Sequence, residues 1–415
     1  MKSLLSNTLS QNFISLFLLQ VANYIFPLLI WPILSNYLGI EQFGLLLLAL
    51  SMLMISNMIT DFGFNLSATH NISKNRENKI FICSLLTNIY VLKTVLSILV
   101  SVVFFIYYQF SENDNLHKLD YISIILLILI VFFQSWQCPW FFQGIERMKY
   151  VTKIIVLSKI IYLLSLVLIL PYYSTINSVL LCYLLNQIFI SYFYMYSVYK
   201  EKFSFGRFNL YGILKELKYS SNFFISRVAV SIYTTGNVLL LGYFHSPHIV
   251  GLYGSAEKLY GAGSGVASIV SQAMYPYTTR TGNLSLLLKL VLLIFFPFCI
   301  GCYVVSFFSA EIMALIFGEP FIDGGIILDY FLFLMCITFL SVSIGYPGFA
   351  AIKRVYLANY TVIIGAVCHF IGILYLYLVD NIYPLTVIFL VIITESIILL
   401  LRIGLLFYYR NKRSL

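Results

Sequence analysis

An all-α polytopic membrane protein of twelve transmembrane helices is the fold class this sequence predicts, and three observations carry it. Of its 415 residues 61% are hydrophobic and 10% charged, where soluble domains carry about 25% charged residues. The apolar residues fall into twelve runs, each near the roughly 20 residues that cross a hydrocarbon core of about 30 Å. Backbone groups in lipid must also be satisfied within each segment, which a helix does by itself. Runs this uniform lack the alternation of a membrane β-barrel.

In order, the runs are 12–37, 43–66, 80–108, 121–143, 151–170, 176–198, 221–244, 250–275, 286–308, 326–350, 357–378 and 384–407. The first contains Pro27 and Pro32, with Gln20 and Asn23 on the face of Pro27. The second closes on the polar stretch Thr60 to Thr69, which holds Asp61 and Gly63. The third carries Lys93, the fourth Pro139 and the fifth Lys159. On the seventh, Arg227, Ser231 and Thr234 share a helical face, and Asn237 adds a further polar residue. On the eighth, Glu257, Gly261, Ser264, Ser268 and Gln272 form the clearest polar stripe, with Lys258 beside it. The ninth holds Pro297, the tenth Pro347 and the twelfth Glu395. Each proline removes a backbone bond and can kink its helix.

The longest inner connection, about 199–220, falls at mid-chain. In it Leu210, Ile213, Leu214 and Leu217 recur at helical spacing with Lys215 and Lys218 between them, as in a helix lying on the inner membrane surface. The organisation read from this is a six-helix lobe over 1–205, a cytoplasmic linker with an amphipathic helix over 206–220, and a second six-helix lobe over 221–415. Traces of a repeat agree with it. "SQNFIS" at Ser10 resembles "SSNFFI" at Ser220, and Ile33–Leu45 aligns with Leu240–Leu252, so that Gly44 and Gly251 correspond.

The net charge of +9 is topogenic. With the N-terminus inside, the inner loops and tails hold 18 cations and the outer loops one, Lys118. The positive-inside rule then places both termini in the cytoplasm, and nucleic-acid binding is not expected. All seven cysteines fall in apolar runs, which argues against a disulfide framework. Cys299 and Cys302 form a CxxC with no second pair, and His245 and His248 an HxxH read as solvated turn residues, so no metal site is expected. No signal-peptide pattern, catalytic constellation or nucleotide loop appears, and no enzyme is expected.

Charges inside a bilayer are costly and normally face a cavity or a partner. At about 1.5 Å per residue, Lys93 and Glu395 lie near mid-membrane, and Lys159 about 12 Å and Arg227 about 9 Å from the inner face. Glu257 and Lys258 lie about 10–12 Å from the outer face, and Asp61, about 27 Å along its run, near the inner face. Asp61 and Arg227 match in depth and could latch the inner side. Interhelical hydrogen bonding in a static bundle is the bland alternative for every polar stripe.

"DFGFNLSATHNIS" from Asp61, "FFQGIERMKY" from Phe141, "FISRVAVSIYTTGNVLLLG" from Phe224 and "VGLYGSAEKLYGA" from Val250 resemble the O-antigen flippases of the Wzx type. These belong to the multidrug/oligosaccharidyl-lipid/polysaccharide exporter superfamily. The resemblance implies two six-helix lobes around a central cleft that opens alternately to each side of the bacterial inner membrane. It implies a cargo of undecaprenyl-diphosphate-linked oligosaccharide, membrane lipids as surroundings, and polysaccharide polymerase and chain-length machinery as partners. For such a cargo Arg227, Lys258, Lys159 and Lys93 are the candidate diphosphate-binding cations. Asp61, Glu257 and Glu395 are candidates for ion coupling or gating, with H+ or Na+ as the ion and no other cofactor. Gln20, Asn23, Ser231, Thr234, Asn237, Ser264, Ser268 and Gln272 would line the cleft. The Asp61 stretch reads as part of a cytoplasmic gate, with a local cap as its alternative. A multidrug exporter of the same superfamily is the first competing reading, which the intramembrane cations oppose. An O-antigen polymerase or membrane glycosyltransferase is the second, opposed by outer loops too short for a catalytic domain.

Overall fold

The structure, a computed structural model, describes the backbone of residues 2–110 and 119–411. The side chains of 2–18, 20, 21, 24, 110, 222, 225–227, 229, 230, 232–234 and 411 lie outside the described ones. Among described residues all regular structure is helical. Nine helical segments there are long and apolar enough to cross a membrane, the first of them covering the two opening runs. Runs 221–244 and 250–275 fall outside the nine; on the second, Glu257, Lys258 and a series of glycines and serines dilute the hydropathy. Large apolar side chains such as Ile98, Leu99, Val103, Leu168, Leu293 and Phe370 remain exposed, as a lipid-facing surface requires.

Two compact units emerge, Met1–Leu38 with Leu48–Val228, and Gly39–Leu47 with Ala229–Leu415. The first contains most of α1 (Lys2–Asp61), then α2 (Phe64–Lys74), α3 (Lys79–Phe110), α4 (Tyr121–Ser135), α5 (Pro139–Gly144), α6 (Met148–Ile169) and α7 (Ile176–Lys200). α8 (Leu210–Thr234) follows and crosses the boundary between the units in sequence. The core gathers Phe64, Ala68, Ile72, Ile89, Trp140, Phe141, Phe142 and Tyr194.

Two helix breaks shape this core. Pro139 lacks an amide hydrogen and drives Cys138 out of the helical region (φ −130°, ψ 54°), so the fourth run divides into α4 and α5 rather than merely kinking. The second run divides where Phe62 (φ 43°) and Gly63 (φ 81°) adopt left-handed backbone. Gly63 also admits α8, since a Cβ there would lie 2.9 Å from Phe223 Cβ and 3.0 Å from the Ser220 carbonyl oxygen. The clasp continues through a 2.7 Å hydrogen bond between the Ser67 and Ser220 hydroxyls and the stacked rings of Phe62 and Phe224.

Loop contacts establish the alternation of ends. Arg76 donates to Glu146 at 2.6 Å, Arg147 pairs with Glu201 at 3.4 Å, and the Gly206 amide donates to the Cys83 carbonyl. These predicted inner loops therefore share one end of the unit. At the other end Asp120 caps α4 and accepts from Asn177.

The connecting helix differs from its expectation. α8 begins at Leu210 and runs unbroken into the seventh run instead of stopping at a surface linker. Its apolar residues also divide: Ile213 and Leu217 pack into the core, while Leu210 and Leu214 stay exposed. Pairs four residues apart share a face, so the helix has two apolar stripes.

The second unit comprises the Gly39–Leu47 segment with α9 (Gly236–Phe244), α10 (Pro247–Thr281), α11 (Leu284–Ser306) and α12 (Ser309–Phe317). A 3-10 turn (Glu319–Gly324) leads to α13 (Gly325–Ala351), α14 (Tyr356–Leu378) and α15 (Pro384–Asn411). Its core includes Ala267, Leu287, Val291, Phe339, Phe349 and Leu406. At Gly39 (φ 69°, ψ 169°) the chain turns between the first two runs. The following segment seats Phe43 against Phe317 and Phe321, with ring centroids at 5.9 and 5.5 Å. Gly44 and Gly251, paired by the sequence repeat, meet here: a Cβ on Gly251 would stand 2.7 Å from the Ile40 carbonyl oxygen and 3.6 Å from the Gly44 nitrogen. His245 is not simply solvated, as its Nε2 lies against the Ile382 carbonyl and ties two predicted outer turns together. Arg354 lies 4.2 Å from the Tyr409 ring and ties two inner segments.

Candidate functional site

In the first unit the buried polar residues collect around the two helix breaks. Asp61 is the last residue of α1 before its break, and Lys93 lies on α3. They form an ion pair at 3.8 Å, with side chains only 3% and 5% exposed. Lys93 Nζ also donates to the Gln137 carbonyl at 3.3 Å, a group freed by the break ahead of Pro139. The same break lets the Trp136 carbonyl accept from Tyr90 at 3.2 Å and the Phe133 carbonyl accept from Ser191 at 2.5 Å. Gln137 donates to Gln187 at 2.5 Å. Carbonyls around the break are thus met by side-chain donors, as burial favours.

This geometry corrects the placement of Asp61. The second run does not end near Leu66, because α2 carries it past the break to Lys74. Asp61 is then about 20 Å from the inner end of its helix pair and Lys93 about 21 Å from the start of α3, at 1.5 Å per residue. The two are level with each other deep in the span, and Asp61 does not sit at an inner mouth. Depth counting failed because it treated the polar stretch after Asp61 as an exit from lipid. Arg227, the expected partner of Asp61, has its side chain outside the described residues, as do Gln20 and Thr234; Lys118, Lys412 and Arg413 lie outside them entirely. Lys159 is half-buried, donates to the Ala22 carbonyl at 3.3 Å and lies 5.9 Å from the Phe26 ring, while Asn23 is exposed.

In the second unit α10 is buried all round over Val250, Gly251, Leu252, Tyr253, Gly254, Ser255 and Ala256, and again at Gly265, Ala267 and Val270. Its polar stripe is more open: Gly261 and Gln272 are exposed, and Glu257, Lys258, Ser264 and Ser268 are half-buried. Ser231 on α8 is half-buried as well. Glu395 on α15 is buried. Arg402, two turns farther along α15, donates to the Ser341 carbonyl at 2.6 Å, to its hydroxyl at 3.0 Å and to Thr361 at 3.2 Å. Asn237 is buried and meets His369 of α14 at 3.2 Å, and His369 in turn meets Thr394 at 3.0 Å.

The sequence analysis passed over Arg402, His369 and Gln137. Arg402 had a signal in its seven-residue spacing from Glu395, which puts both on one helix face. Gln137 had one in its place two residues before Pro139. His369 stood alone in an apolar run with no pattern around it. Among the described residues no group of three or more His, Cys, Asp or Glu side chains is arranged to hold a metal ion. What the arrangement offers chemically is cations and hydrogen-bonding groups held inside a membrane-spanning bundle.

Comparison with known proteins follows the same line. The sequence profile described as "Polysaccharide biosynthesis protein" matches residues 9–282. The chain is 27% identical over 277 residues to a protein of Shigella dysenteriae and 26% over 279 residues to one of Escherichia coli (strain K12), each bearing the name "Putative O-antigen transporter". These matches take in 66% of this chain and 68% and 66% of the relatives, so about two thirds of their length is spanned. Among solved structures the fold is similar to the lipid II flippase MurJ in an inward closed conformation, with TM-score 0.71 and 14% identity over 95% of this chain and 87% of that one. It is also similar to an inward-facing multidrug resistance MATE family transporter of the MOP superfamily, with TM-score 0.66 and 14% identity over 95% of this chain and 98% of that one. At such identities the likeness concerns the fold.

Proposed function

The chain belongs to the polysaccharide biosynthesis protein family, and we propose that it is a flippase for lipid-linked oligosaccharide. In this reading it moves undecaprenyl-diphosphate-linked O-antigen repeat units from the cytoplasmic to the periplasmic leaflet of the bacterial inner membrane. Both termini are cytoplasmic, the two six-helix lobes work by alternating access, and an ion gradient drives the cycle. The observation that carries the reading is the match to two relatives named as O-antigen transporters.

Physical chemistry supports it. A diphosphate-sugar head cannot cross hydrocarbon unaided and needs a polar-walled route. Lys258, Lys159 and Arg227 remain the cations assigned to the diphosphate, and guanidinium suits bidentate contact with phosphate. Arg402 joins them as a buried guanidinium. Lys93 is a weaker candidate than before, because its charge is matched by Asp61. Glu257 and Glu395 are the carboxylates assigned to ion coupling. Polymerase and chain-length machinery are the expected partners downstream.

The test is complementation of a strain lacking the protein. Wild type restores surface polysaccharide, and Arg227→Ala inserts into the membrane yet fails to restore it. Normal polysaccharide in that variant removes Arg227 from the site. No requirement for the protein at all, with drug efflux on overexpression instead, replaces the flippase with the multidrug exporter that the MATE likeness keeps as second reading.

A further inference from the structure

In the second unit α11 and α15 both pack on α13 while making little contact with each other. Between them, over α13, lies an apolar groove with a volume of about 260 Å³. Leu284 and Val291 of α11, Ile344 of α13 and Leu406 of α15 are buried and form its floor. Leu288, Leu340 and Ile403 are half-buried along its sides, and Leu292 and Phe407 are exposed at its rim. The polar side chain on the lining is that of Arg410, which is exposed.

The groove has a definite place in the membrane. α11 starts, and α13 and α15 end, on the predicted inner side. Counted from those ends at 1.5 Å per residue, Arg410 stands about 2 Å in, Leu292 and Ile403 about 12 Å, and Leu340 about 17 Å. The lining therefore covers one leaflet, half of a hydrocarbon core of about 30 Å, with its cation at headgroup level. Near the depth where the lining ends, Phe295 and Phe298 of α11 meet Phe339 of α13, with ring centroids 6.0 and 4.9 Å apart. Arg280, Lys353 and Arg354 belong to the same end, and the connections 276–283 and 351–356 contain no Asp or Glu. Among the described residues no carboxylate forms an ion pair with Arg410.

Two features choose the occupant. Transmembrane helices dock through small residues that let backbones approach, whereas this lining is Leu, Ile, Val and Phe. It does not suit a helix of a partner or of a second copy. A groove one leaflet deep matches an acyl chain seated in the inner leaflet, while a polyprenyl chain is much longer. A guanidinium at the mouth then suits a phosphate. We propose that this groove binds an anionic glycerophospholipid of the inner leaflet, with one acyl chain between α11 and α15 and the headgroup phosphate at Arg410. The lipid fills the space that α11 and α15 leave over α13. The proposal goes beyond the flippase reading and stands without it, since a lipid held here is not cargo.

The experiment uses the full chain in phosphatidylcholine nanodiscs that carry a trace of phosphatidylglycerol with a diazirine midway along one acyl chain. A parallel sample carries phosphatidylcholine with the same diazirine. After irradiation the labelled peptides are mapped by mass spectrometry. The phosphatidylglycerol probe should label residues 288–292 and 403–407 about fivefold more than the phosphatidylcholine probe, the worth of one cation near an anionic lipid. Equal labelling by the two overturns the proposal, as it describes bulk lipid only. Arg410→Gln, at an exposed position, should remove the excess; an unchanged excess overturns the role of Arg410. Leu288→Trp fills the groove and should abolish labelling of 403–407 by both probes, and Ile403→Trp does the same to 288–292 should the first variant fail to fold. Labelling retained in a folded variant places the chain outside the groove and overturns the site. Competition by undecaprenyl diphosphate but not by unlabelled phosphatidylglycerol overturns it in favour of a polyprenyl tail, and a crosslinked dimer overturns it in favour of a second copy.

Discussion

Removing one member of the Asp61–Lys93 pair will destabilise the first unit far more than removing both. At 3.8 Å and an effective dielectric constant of about 20, the Coulomb attraction is about 4 kcal/mol. Desolvation of the two ions offsets much of it. Asp61→Leu removes the carboxylate facing the buried Lys93 ammonium, and Lys93→Met removes the ammonium facing the buried Asp61 carboxylate. Each single change should cost about 3–5 kcal/mol, because an uncompensated buried charge is the penalty. The double variant Asp61→Leu/Lys93→Met replaces the pair with apolar groups of similar reach and should lie within about 2 kcal/mol of wild type. The assay is reversible unfolding in mixed micelles, arranged as a double-mutant cycle. The two single costs sum to about 6–10 kcal/mol against at most about 2 for the double, so a coupling energy of at least about 4 kcal/mol is expected. Strict additivity would refute the reasoning, since it would mean that neither residue feels the other's charge.

Other consequences follow from single contacts. A side chain at Gly44 would place its Cβ 1.9 Å from the Pro247 carbonyl oxygen, so Gly44→Leu should sharply reduce the folded yield by size-exclusion chromatography. Gly261 has nothing within 4 Å of a Cβ, and Gly261→Ala should raise thermal stability by about 0.5–1 kcal/mol. Asp120, outside the spans, is pushed upward by desolvation, but hydrogen bonds from Ser123 and Asn177 outweigh this and hold its carboxyl below the ordinary value of 3.8. A depressed folded value means that stability is present above the unfolded value and is lost as pH falls through the folded one. Asp120→Ala should therefore cost about 1 kcal/mol at pH 7, the usual worth of an N-cap, and the difference from wild type should shrink in melts below about pH 3.

Much of the candidate site was legible in residue type but not in pairing. Lys93, Asp61, Glu395 and Asn237 stood out because a charge or amide within an apolar run is rare and costly. Which of them touch was hidden, because contacts between helices depend on rotation and on breaks that shift every residue beyond them. The error at Asp61 shows the mechanism. Phe62 and Gly63 take left-handed backbone and the chain then resumes as α2, so the polar residues Asn65, Ser67 and Thr69 are still inside the helical span. Counting along one straight helix put Asp61 level with Arg227 instead of Lys93. The glycine pair shows the opposite case, since the repeat that aligned Gly44 with Gly251 also marked the two positions that meet.

By itself the sequence determined that this chain is helical, membrane-spanning and alternating in direction, because those properties follow from summed hydropathy, run length and the distribution of Lys and Arg. Each is a sum over many residues and tolerates local error. Only the tertiary structure decided that Asp61 answers Lys93, that carbonyls beside the break at Pro139 are met by Lys93, Tyr90 and Ser191, and that His369 sits between Asn237 and Thr394. Those are pairwise facts, set by where helices break and which faces they turn to one another, and no sum along the chain contains them.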